Sequence, residues 1–246
     1  MDKNEIPRII HYCWFGGKEK PEIVKRCIKS WKDILVDYEI KEWNESNFDI
    51  NSNLFVKQAY EAGKFAFVSD FVRVNALYNY GGIYLDTDVE VYKPLDKFLV
   101  KESFWGFEEK NYIATSTIGA RSGNKLIKQF LNFYEGKSYT EMAKDVETST
   151  NVQIVTRIFK EIGFKMNGER QSIDNIGTIY PQEYFSPYDY INYYDKKTDK
   201  TYTMHLFYKS WVSPKDKIKS SMKRVLSKVI GGKNIARIRA VVQREI

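Results

Sequence analysis

Two periodicities of apolar positions alternate along the first third of the chain. Strand-like apolar runs cover 8–15, 38–43 and 82–91, and helically spaced apolar positions cover 21–31, 54–63 and 66–80. Pro21 suits the first turn of a helix, and Gly81 and Gly82 suit a helix end. This alternation predicts an α/β domain with a mixed, mostly parallel sheet, in which ligands bind beyond the carboxyl ends of strands.

The remainder of the chain continues the mixed pattern. We expect strands at 104–108, 113–120, 176–185 and 202–207, and helices at 125–134 and 151–162. A polar segment with a proline follows residue 213. The sequence therefore predicts one large domain over 1–213 and a separate tail over 214–246.

The third apolar run contains the most informative motif, Asp86-Thr87-Asp88. If this motif is part of an extended strand, Asp86 and Asp88 project to the same side, where their charges repel unless a cation lies between them. Carboxylate oxygens suit hard cations such as Mn²⁺ or Mg²⁺. Apolar residues around the pair predict a buried strand: Ile83, Tyr84, Leu85 and Val89. A metal–diphosphate site is the leading interpretation.

Asp70 and Arg73 lie three residues apart in the helix that leads into this strand, so they share one helix face. An ordinary helical ion pair is one interpretation. The apolar residues around the pair and its closeness to the acidic motif favour the other, in which the two side chains contact a polar ligand.

Composition and charge narrow the class of protein. The 246 residues are 43% hydrophobic and 29% charged, which is ordinary for a globular protein. The net charge is +7, but the segment from Lys215 to Ile246 holds 10 of the 39 basic residues and only 2 of the 32 acidic ones. The rest of the chain is nearly neutral, which argues against a nucleic acid partner.

Cys13 and Cys27 lie in apolar patterns and are expected to be reduced, as in a cytoplasmic protein. The first residues lack an apolar signal core, and no segment approaches 18 apolar residues in length. We therefore expect a protein that is neither secreted nor membrane-spanning.

The array AFVSDFVRVNALYNYGGIYLDTDV (66–89) resembles the DXD-containing sugar transferases of glycosyltransferase family 32, which include capsular-polysaccharide and Och1-like mannosyltransferases. It is more distantly similar to the glucosyltransferase domains of clostridial toxins. IPRIIHYCWFGG (6–17), YEIKEWNE (38–45), IYPQEYFSPY (179–188) and MHLFYKSW (204–211) fit the same family. The resemblance spans residues 6–213.

The resemblance implies a GT-A-like fold and a metal-dependent transfer of a hexose from a nucleotide-sugar donor, in surface polysaccharide biosynthesis. The expected donor is a UDP-sugar, with a GDP-sugar as the alternative. The expected acceptor is a glycan or a lipid-linked saccharide, and the transfer is expected to retain the anomeric configuration.

The same resemblance gives roles to individual residues. Asp86 and Asp88 hold Mn²⁺ or Mg²⁺, with His205 as a third ligand. Asp70 and Arg73 hold the hydroxyls of the donor sugar. The remaining donor contacts are a base-stacking ring and a C-terminal flap over the diphosphate, assigned to Trp14, Ser210 and Trp211. The match over 147–156 is loose, so Asn151 receives no role.

Two rival functions remain open. A haloacid-dehalogenase-type phosphatase also uses an apolar strand followed by DxDx[TV], but its later acidic pair could only be Asp195 and Asp199. A non-catalytic nucleotide- or carbohydrate-binding protein is the third possibility. Separately, the apolar and basic spacing of the tail is typical of an amphipathic helix that lies on an anionic membrane, which would place the protein at the inner membrane face.

Overall fold

A computed structural model of the chain describes residues 5–109, 111–144 and 150–208. The expected tail over 214–246, together with Ser210 and Trp211, lies outside these residues. Within the described part, no helix is both long enough and apolar enough to cross a membrane.

The described residues form twelve strands and seven α-helices. The strands are β1 (Ile9–Cys13), β2 (Glu39–Trp43), β3 (Gly82–Leu85), β4 (Val89–Val91), β5 (Ser103–Glu109), β6 (Tyr112–Ile113), β7 (Thr117–Ala120), β8 (Gln171–Ile173), β9 (Gly177–Tyr180), β10 (Tyr188–Asp189), β11 (Tyr194–Asp195) and β12 (Thr203–His205). The helices are α1 (Glu22–Ile34), α2 (Leu54–Glu61), α3 (Phe65–Tyr80), α4 (Lys125–Asn132), α5 (Tyr139–Met142), α6 (Asn151–Glu161) and α7 (Gln182–Phe185).

The main sheet has the order β2-β1-β3-β7-β5-β9-β8, and β6 pairs with β5 outside this path. β1 is parallel to β2 and β3, and β5 is parallel to β9. β7 is antiparallel to both β3 and β5, so β3 and β5 run in the same direction. The mixed, mostly parallel sheet predicted from the sequence is confirmed. A separate two-stranded sheet pairs β4 with β12.

Helices cover both faces of the main sheet and enclose two apolar clusters. One cluster contains side chains of α2, α3, α4 and α6, and the other contains side chains of α1, α7 and the β4–β12 pair. Trp31 of α1 is fully buried, and its indole N–H donates to the Val89 carbonyl at 2.7 Å. This bond fixes α1 to the strand that follows the acidic motif.

The acidic strand expected over 82–91 is interrupted. Asp86, Thr87 and Asp88 form a turn, in which the Val89 N–H donates to the Asp86 carbonyl at 2.9 Å. β3 ends before this turn in the main sheet, and β4 resumes after it in the small sheet. The prediction of one continuous strand is wrong because the chain changes sheets at the motif.

Two other expected strands are also divided. The run over 113–120 is split between β6 and β7, since residues 114–116 leave the ladder and the Ala114 N–H donates to the Gly106 carbonyl at 2.8 Å. The run over 176–185 ends as a strand at Tyr180. Pro181, which has no N–H to donate, caps α7 instead. The other predicted helices and strands are confirmed to within a few residues.

Gly81 and Gly16 allow two close approaches near the ends of α3. Gly81 ends the helix with a φ of 66°, and a Cβ there would lie 2.7 Å from the Ser122 nitrogen. Gly16, in the turn after β1, has a φ of 89°, and a Cβ would lie 2.3 Å from the Phe65 ring. The turn after β1 therefore packs directly against the start of α3.

Candidate active site

The candidate site lies at the edge of the main sheet where β1 and β3 end. These strands are adjacent and parallel, so the segments that follow them emerge at the same edge. Trp14 follows β1, and Asp86 follows β3. Helix α3, which precedes β3, carries Asp70 and Arg73. Side chains that are distant in the sequence therefore converge on one edge.

Asp86, Asp88 and His205 form a cluster in which one ligand atom from each residue lies within 4.8 Å of the others. The turn at the acidic motif positions Asp86 and Asp88, so the reasoning from strand alternation is wrong although the carboxylates do meet. His205 reaches them because β12 pairs with β4 and places His205 opposite Val89. The small β4–β12 sheet thus completes the cluster.

Asp88 is held on three sides by the segment that follows β12. Its carbonyl accepts the Leu206 N–H at 3.0 Å, and its Oδ2 accepts the Tyr208 N–H at 2.6 Å. Its Oδ1 lies 3.3 Å from His205 Nε2. Burial acts to raise the pKa of Asp88, but His205 and the backbone donor lower it below its ordinary value.

His205 faces this carboxylate in a buried setting. Burial acts to lower the pKa of His205, but the charge of Asp88 outweighs it and raises the pKa to about 9. The Nδ1 atom is buried and has no hydrogen-bond partner among the described residues. Without a cation, the raised pKa favours a protonated His205 that forms an ion pair with Asp88.

The donor atoms of this cluster fit a divalent cation. Oδ1 of Asp86 accepts from Tyr84 Oη at 3.1 Å and lies 3.2 Å from Arg73, whereas no described residue donates to its Oδ2. Asp88 likewise commits Oδ2 to the backbone and directs Oδ1 toward His205. Each carboxylate thus has one oxygen bonded to protein groups outside the cluster and a second oxygen available to a cation. Carboxylate oxygens with one imidazole suit Mn²⁺, and the oxygens also suit Mg²⁺.

Arg73 links the helix to the acidic motif. One guanidinium nitrogen lies 2.9 Å from Asp70 and 3.2 Å from Asp86, and another donates to the Thr115 carbonyl at 2.9 Å. The guanidinium carbon lies 4.6 Å from the centre of the Tyr84 ring. The side chain is 7% exposed, and that of Asp70 is 19% exposed. Arg73 therefore holds both carboxylates in place, and Asp70 is the more accessible of the pair.

A buried hydrogen-bond chain behind Asp70 was not found from the sequence. Asn151, the first residue of α6, donates through Nδ2 to Asp70 Oδ1 at 2.8 Å, and its Oδ1 accepts from the hydroxyl of Tyr134. Because the hydroxyl donates to the amide oxygen, the amide nitrogen must face Asp70. Burial raises the pKa of Asp70 to about 7, while contact with Arg73 favours its ionised form. A single sequence contains no signal for this chain, since Asp70, Tyr134 and Asn151 lie on α3, in the turn after α4 and on α6, far apart in the sequence.

Trp14 is half-buried, unlike the fully buried Trp31 and Trp105. Its indole N–H donates to the Lys18 carbonyl at 2.6 Å, and its backbone N–H donates to the Trp43 carbonyl at 2.9 Å. These bonds fix the ring at the edge of the sheet, and part of it remains accessible. Ser210 and Trp211, expected over the diphosphate, lie outside the described residues.

Comparison with known proteins identifies the family and the fold of the chain. Residues 1–161 match the family model described as "Capsular polysaccharide synthesis protein". The chain is 31% identical over 114 residues to inositol phosphoceramide mannosyltransferase 1 of Schizosaccharomyces pombe, covering 42% of this chain and 34% of that protein. It is 30% identical over 128 residues to mannosyltransferase 3 of the same series and organism, covering 50% and 36%. The chain spans about a third of the length of these curated relatives.

A solved structure described as "PaToxG Glycosyltransferase" superposes with a TM-score of 0.53 at 18% sequence identity. The match covers 65% of this chain and 71% of that one. At this identity the likeness concerns the fold, and it confirms the GT-A-like architecture. The resemblance to family-32-type glycosyltransferases drawn from the sequence is confirmed by the family match and the curated relatives.

Proposed function

The chain belongs to the family of capsular polysaccharide synthesis proteins, and we propose that it is a metal-dependent glycosyltransferase. It transfers a hexose from a nucleotide-sugar to a hydroxyl group of a glycan or a lipid-linked saccharide. The observation that carries the proposal is the meeting of Asp86, Asp88 and His205 with the Asp70–Arg73 pair at one sheet edge. A cluster for a cation beside polar groups for a sugar is the pairing that a nucleotide-sugar requires.

The reaction breaks the bond between the anomeric carbon and the diphosphate oxygen and forms a bond from that carbon to the acceptor oxygen. The acceptor proton passes to the leaving diphosphate, so atoms and charges balance. Asp86, Asp88 and His205 would hold Mn²⁺ or Mg²⁺, which when bound neutralises the charge that grows on the leaving diphosphate. No side chain of the described site is assigned as a nucleophile, which favours a front-face transfer that retains configuration.

The other side chains of the site position the donor. Asp70, held by Arg73 and Asn151, presents a carboxylate to the hydroxyls of the donor sugar. Arg73 contributes mainly by orienting Asp70 and Asp86, since most of its N–H groups already have partners. The Trp14 ring, fixed at the end of β1, stacks on the nucleobase. Ser210 and Trp211 keep their proposed place over the diphosphate from the family resemblance alone.

The proposal gives the donor and the acceptor by chemical class. A UDP-sugar is the first candidate for the donor. GDP-mannose is the second, because the resemblance leaves a GDP-sugar open and the curated relatives are named mannosyltransferases. A role in surface polysaccharide synthesis follows from the family description. A lipid-linked acceptor and the basic segment 214–246 together favour a cytoplasmic protein that binds peripherally to the inner, anionic membrane surface.

Two observations weigh against the rival functions. The phosphatase would need a late acidic pair near Asp86, but Asp195 lies on the small β10–β11 sheet, and both Asp195 and Asp199 are exposed. A binding protein without activity has less need of the buried charged network around Arg73, since burying charges is costly. The glycosyltransferase proposal accounts for both features.

The test is release of UDP or GDP from a panel of UDP-glucose, UDP-galactose and GDP-mannose with Mn²⁺. We expect turnover of at least one donor, loss of turnover in excess EDTA, and recovery when Mn²⁺ is restored. Asp88→Asn should fold and lose turnover, because one ligand charge is removed at nearly constant volume. Asp96→Asn, an exposed carboxylate that contacts Arg8, is the matched control. Full turnover by Asp88→Asn, or in excess chelator, would refute the proposal.

A further inference from the structure

A wall of aromatic rings stands beside the metal-ligand cluster. Phe207 lies 4.0 Å from the His205 ring, and Tyr190 lies 4.5 Å from Phe207, between ring centres. Tyr188 extends the wall at 6.4 Å from Phe207, with nearly parallel rings. We call Tyr188, Tyr190 and Phe207 the aromatic wall. It is half-buried and continuous from His205 outward, so it borders the site.

The backbone of Phe207 is held in an uncommon conformation. Its φ is 50°, a backbone angle that residues other than glycine rarely adopt. The flanking residues fix it there, since the N–H groups of Leu206 and Tyr208 both donate to Asp88. The chain therefore adopts a strained turn that keeps the Phe207 ring against His205. Such strain persists at sites where the position of a side chain matters.

The wall ends at the carboxylates that close β5. The Tyr190 hydroxyl donates to Glu109 Oε1 at 3.2 Å. Glu108, its neighbour, is half-buried, and no described residue donates a hydrogen bond to its carboxylate. The charges of His205, Asp86 and Asp88 all act on the Glu108 carboxylate, so Glu108 borders the metal-ligand cluster. Acceptor oxygens thus adjoin the rings.

The sheet order separates this surface from Trp14. β5 lies beyond β7 from β3, whereas β1 lies on the opposite side of β3. The acidic turn after β3 therefore lies between the end of β1 and the end of β5. A donor whose base stacks on Trp14 and whose diphosphate meets Asp86 and Asp88 leaves the β5 side for the second substrate.

We propose that the aromatic wall, with Glu108 and Glu109, is the acceptor subsite and binds a pyranose ring of the acceptor. A pyranose offers an apolar C–H face to aromatic rings and a rim of hydroxyl groups to carboxylates, which is the pairing found here. That the bound pyranose is the acceptor rests on the proposed function. That the aromatic wall binds a pyranose does not.

The experiment measures binding and kinetics with defined probes on the full chain. Saturation-transfer NMR is recorded with methyl α-mannopyranoside, methyl β-glucopyranoside and methyl β-galactopyranoside. Tyr190→Ala should weaken binding of the preferred glycoside about tenfold, and Tyr190→Phe, which keeps the ring, should weaken it less. Tyr80→Ala is the matched control. It removes a half-exposed tyrosine before β3, at the opposite edge of the sheet.

Kinetics separate this proposal from the previous one. Tyr190→Ala should raise the KM for the glycoside about tenfold and change the KM for the nucleotide-sugar less than twofold. If Tyr190→Ala does not fold, Glu109→Gln provides the second variant, with the same expected split. The two proposals can fail separately. If Tyr190→Ala loses glycoside binding but the wild type turns over no donor, the sugar subsite is supported and the proposed function is refuted.

Three outcomes would overturn the subsite. They are no binding of any glycoside to the wild type, equal effects of Tyr190→Ala and Tyr80→Ala, and equal rises in KM for glycoside and donor.

Discussion

Replacing Tyr134 by Phe tests whether the buried chain behind Asp70 supports catalysis. The ring should stay in place, because it is 1% exposed and packs against Phe55 and Phe71 with centres 4.9 and 5.6 Å apart. The substitution removes only the hydroxyl that donates to Asn151 Oδ1. It therefore changes one hydrogen bond without opening a large cavity.

The loss in stability can be estimated from that one bond. A buried hydrogen bond contributes about 1 kcal/mol, and an amide oxygen left without a partner costs about 1–3 kcal/mol. Taking about 2 kcal/mol as the total, the Tm of a chain of this size should fall by about 4–8 °C. The fold should survive, since the remaining core is unchanged.

The loss in activity follows from the orientation of Asn151. Without the Tyr134 hydroxyl, the Asn151 amide keeps only the contacts of its Nδ2 with Asp70 among the described residues, so Asn151 orients the Asp70 carboxylate less firmly. If about 1.4 kcal/mol of transition-state stabilisation is lost, kcat falls about tenfold. Binding of UDP or GDP should change little, because Tyr134 lies behind Asp70, the carboxylate proposed to contact the sugar and not the nucleotide.

The assay compares kcat, donor KM and Tm of Tyr134→Phe with those of Tyr92→Phe. Tyr92 likewise donates its hydroxyl to a side-chain oxygen, Oε2 of Glu90 at 2.8 Å, but packs on the apolar cluster of the other sheet face. A fall in Tm for Tyr134→Phe with kcat equal to that of Tyr92→Phe would refute the reasoning and leave Tyr134 a purely structural residue.

Four further predictions concern Arg73, Trp14, His11 and the C-terminal tail. Arg73→Lys should reduce sugar transfer far more than UDP or GDP affinity, because Lys cannot bridge two carboxylates and a carbonyl; equal losses with a lower Tm would indicate a structural ion pair. Trp14→Ala should raise the donor KM, because it removes about 1–3 kcal/mol of binding free energy, the range for base stacking; an unchanged KM in the folded protein would contradict that role. Burial lowers the pKa of His11 to about 4, below its ordinary 6.5, so the contribution of His11 to the unfolding free energy should fall by about 2 kcal/mol from pH 7 to pH 5, because this imidazole gains a proton only in the unfolded chain; urea titrations that compare the wild type with His11→Gln at the two pH values should isolate that contribution. A chain ending at residue 213 should keep donor turnover but lose salt-sensitive sedimentation with anionic liposomes; equal sedimentation of both chains would exclude the tail as an anchor.

Local patterns predicted the regular part of the fold because its elements follow one periodicity from end to end. Helix α3 is an example, since apolar side chains line it up to Gly81, whose positive φ ends it. The strands around Asp86–Asp88 and Pro181 were misjudged where the chain leaves the main sheet or enters a short helix. In those places, strands that are distant in the sequence pair with the segment and decide its conformation. The periodicity of apolar residues gives no information on such pairing.

The acidic motif shows that two carboxylates can meet by a route that their spacing in the sequence does not predict. Asp86 and Asp88 were expected to meet through strand alternation, and they meet through a turn instead. His205 was indicated only by family resemblance, since no spacing connects it to residue 88. It is the β4–β12 pairing, from a strand at the far end of the described chain, that brings the imidazole to the carboxylate.

The division of oxygens within the acidic pair predicts that Asp86 and Asp88 have different roles. Asp86 gives one oxygen to Arg73 and Tyr84, so it joins the sugar-facing pair to the cation cluster. Asp88 gives one oxygen to the backbone of the segment that carries Phe207, so it joins the same cluster to the aromatic wall. A cation at this position would therefore be coupled to the donor side through Asp86 and to the acceptor side through Asp88. Loss of Asp86 should disturb Arg73 first, whereas loss of Asp88 should release the turn at Phe207.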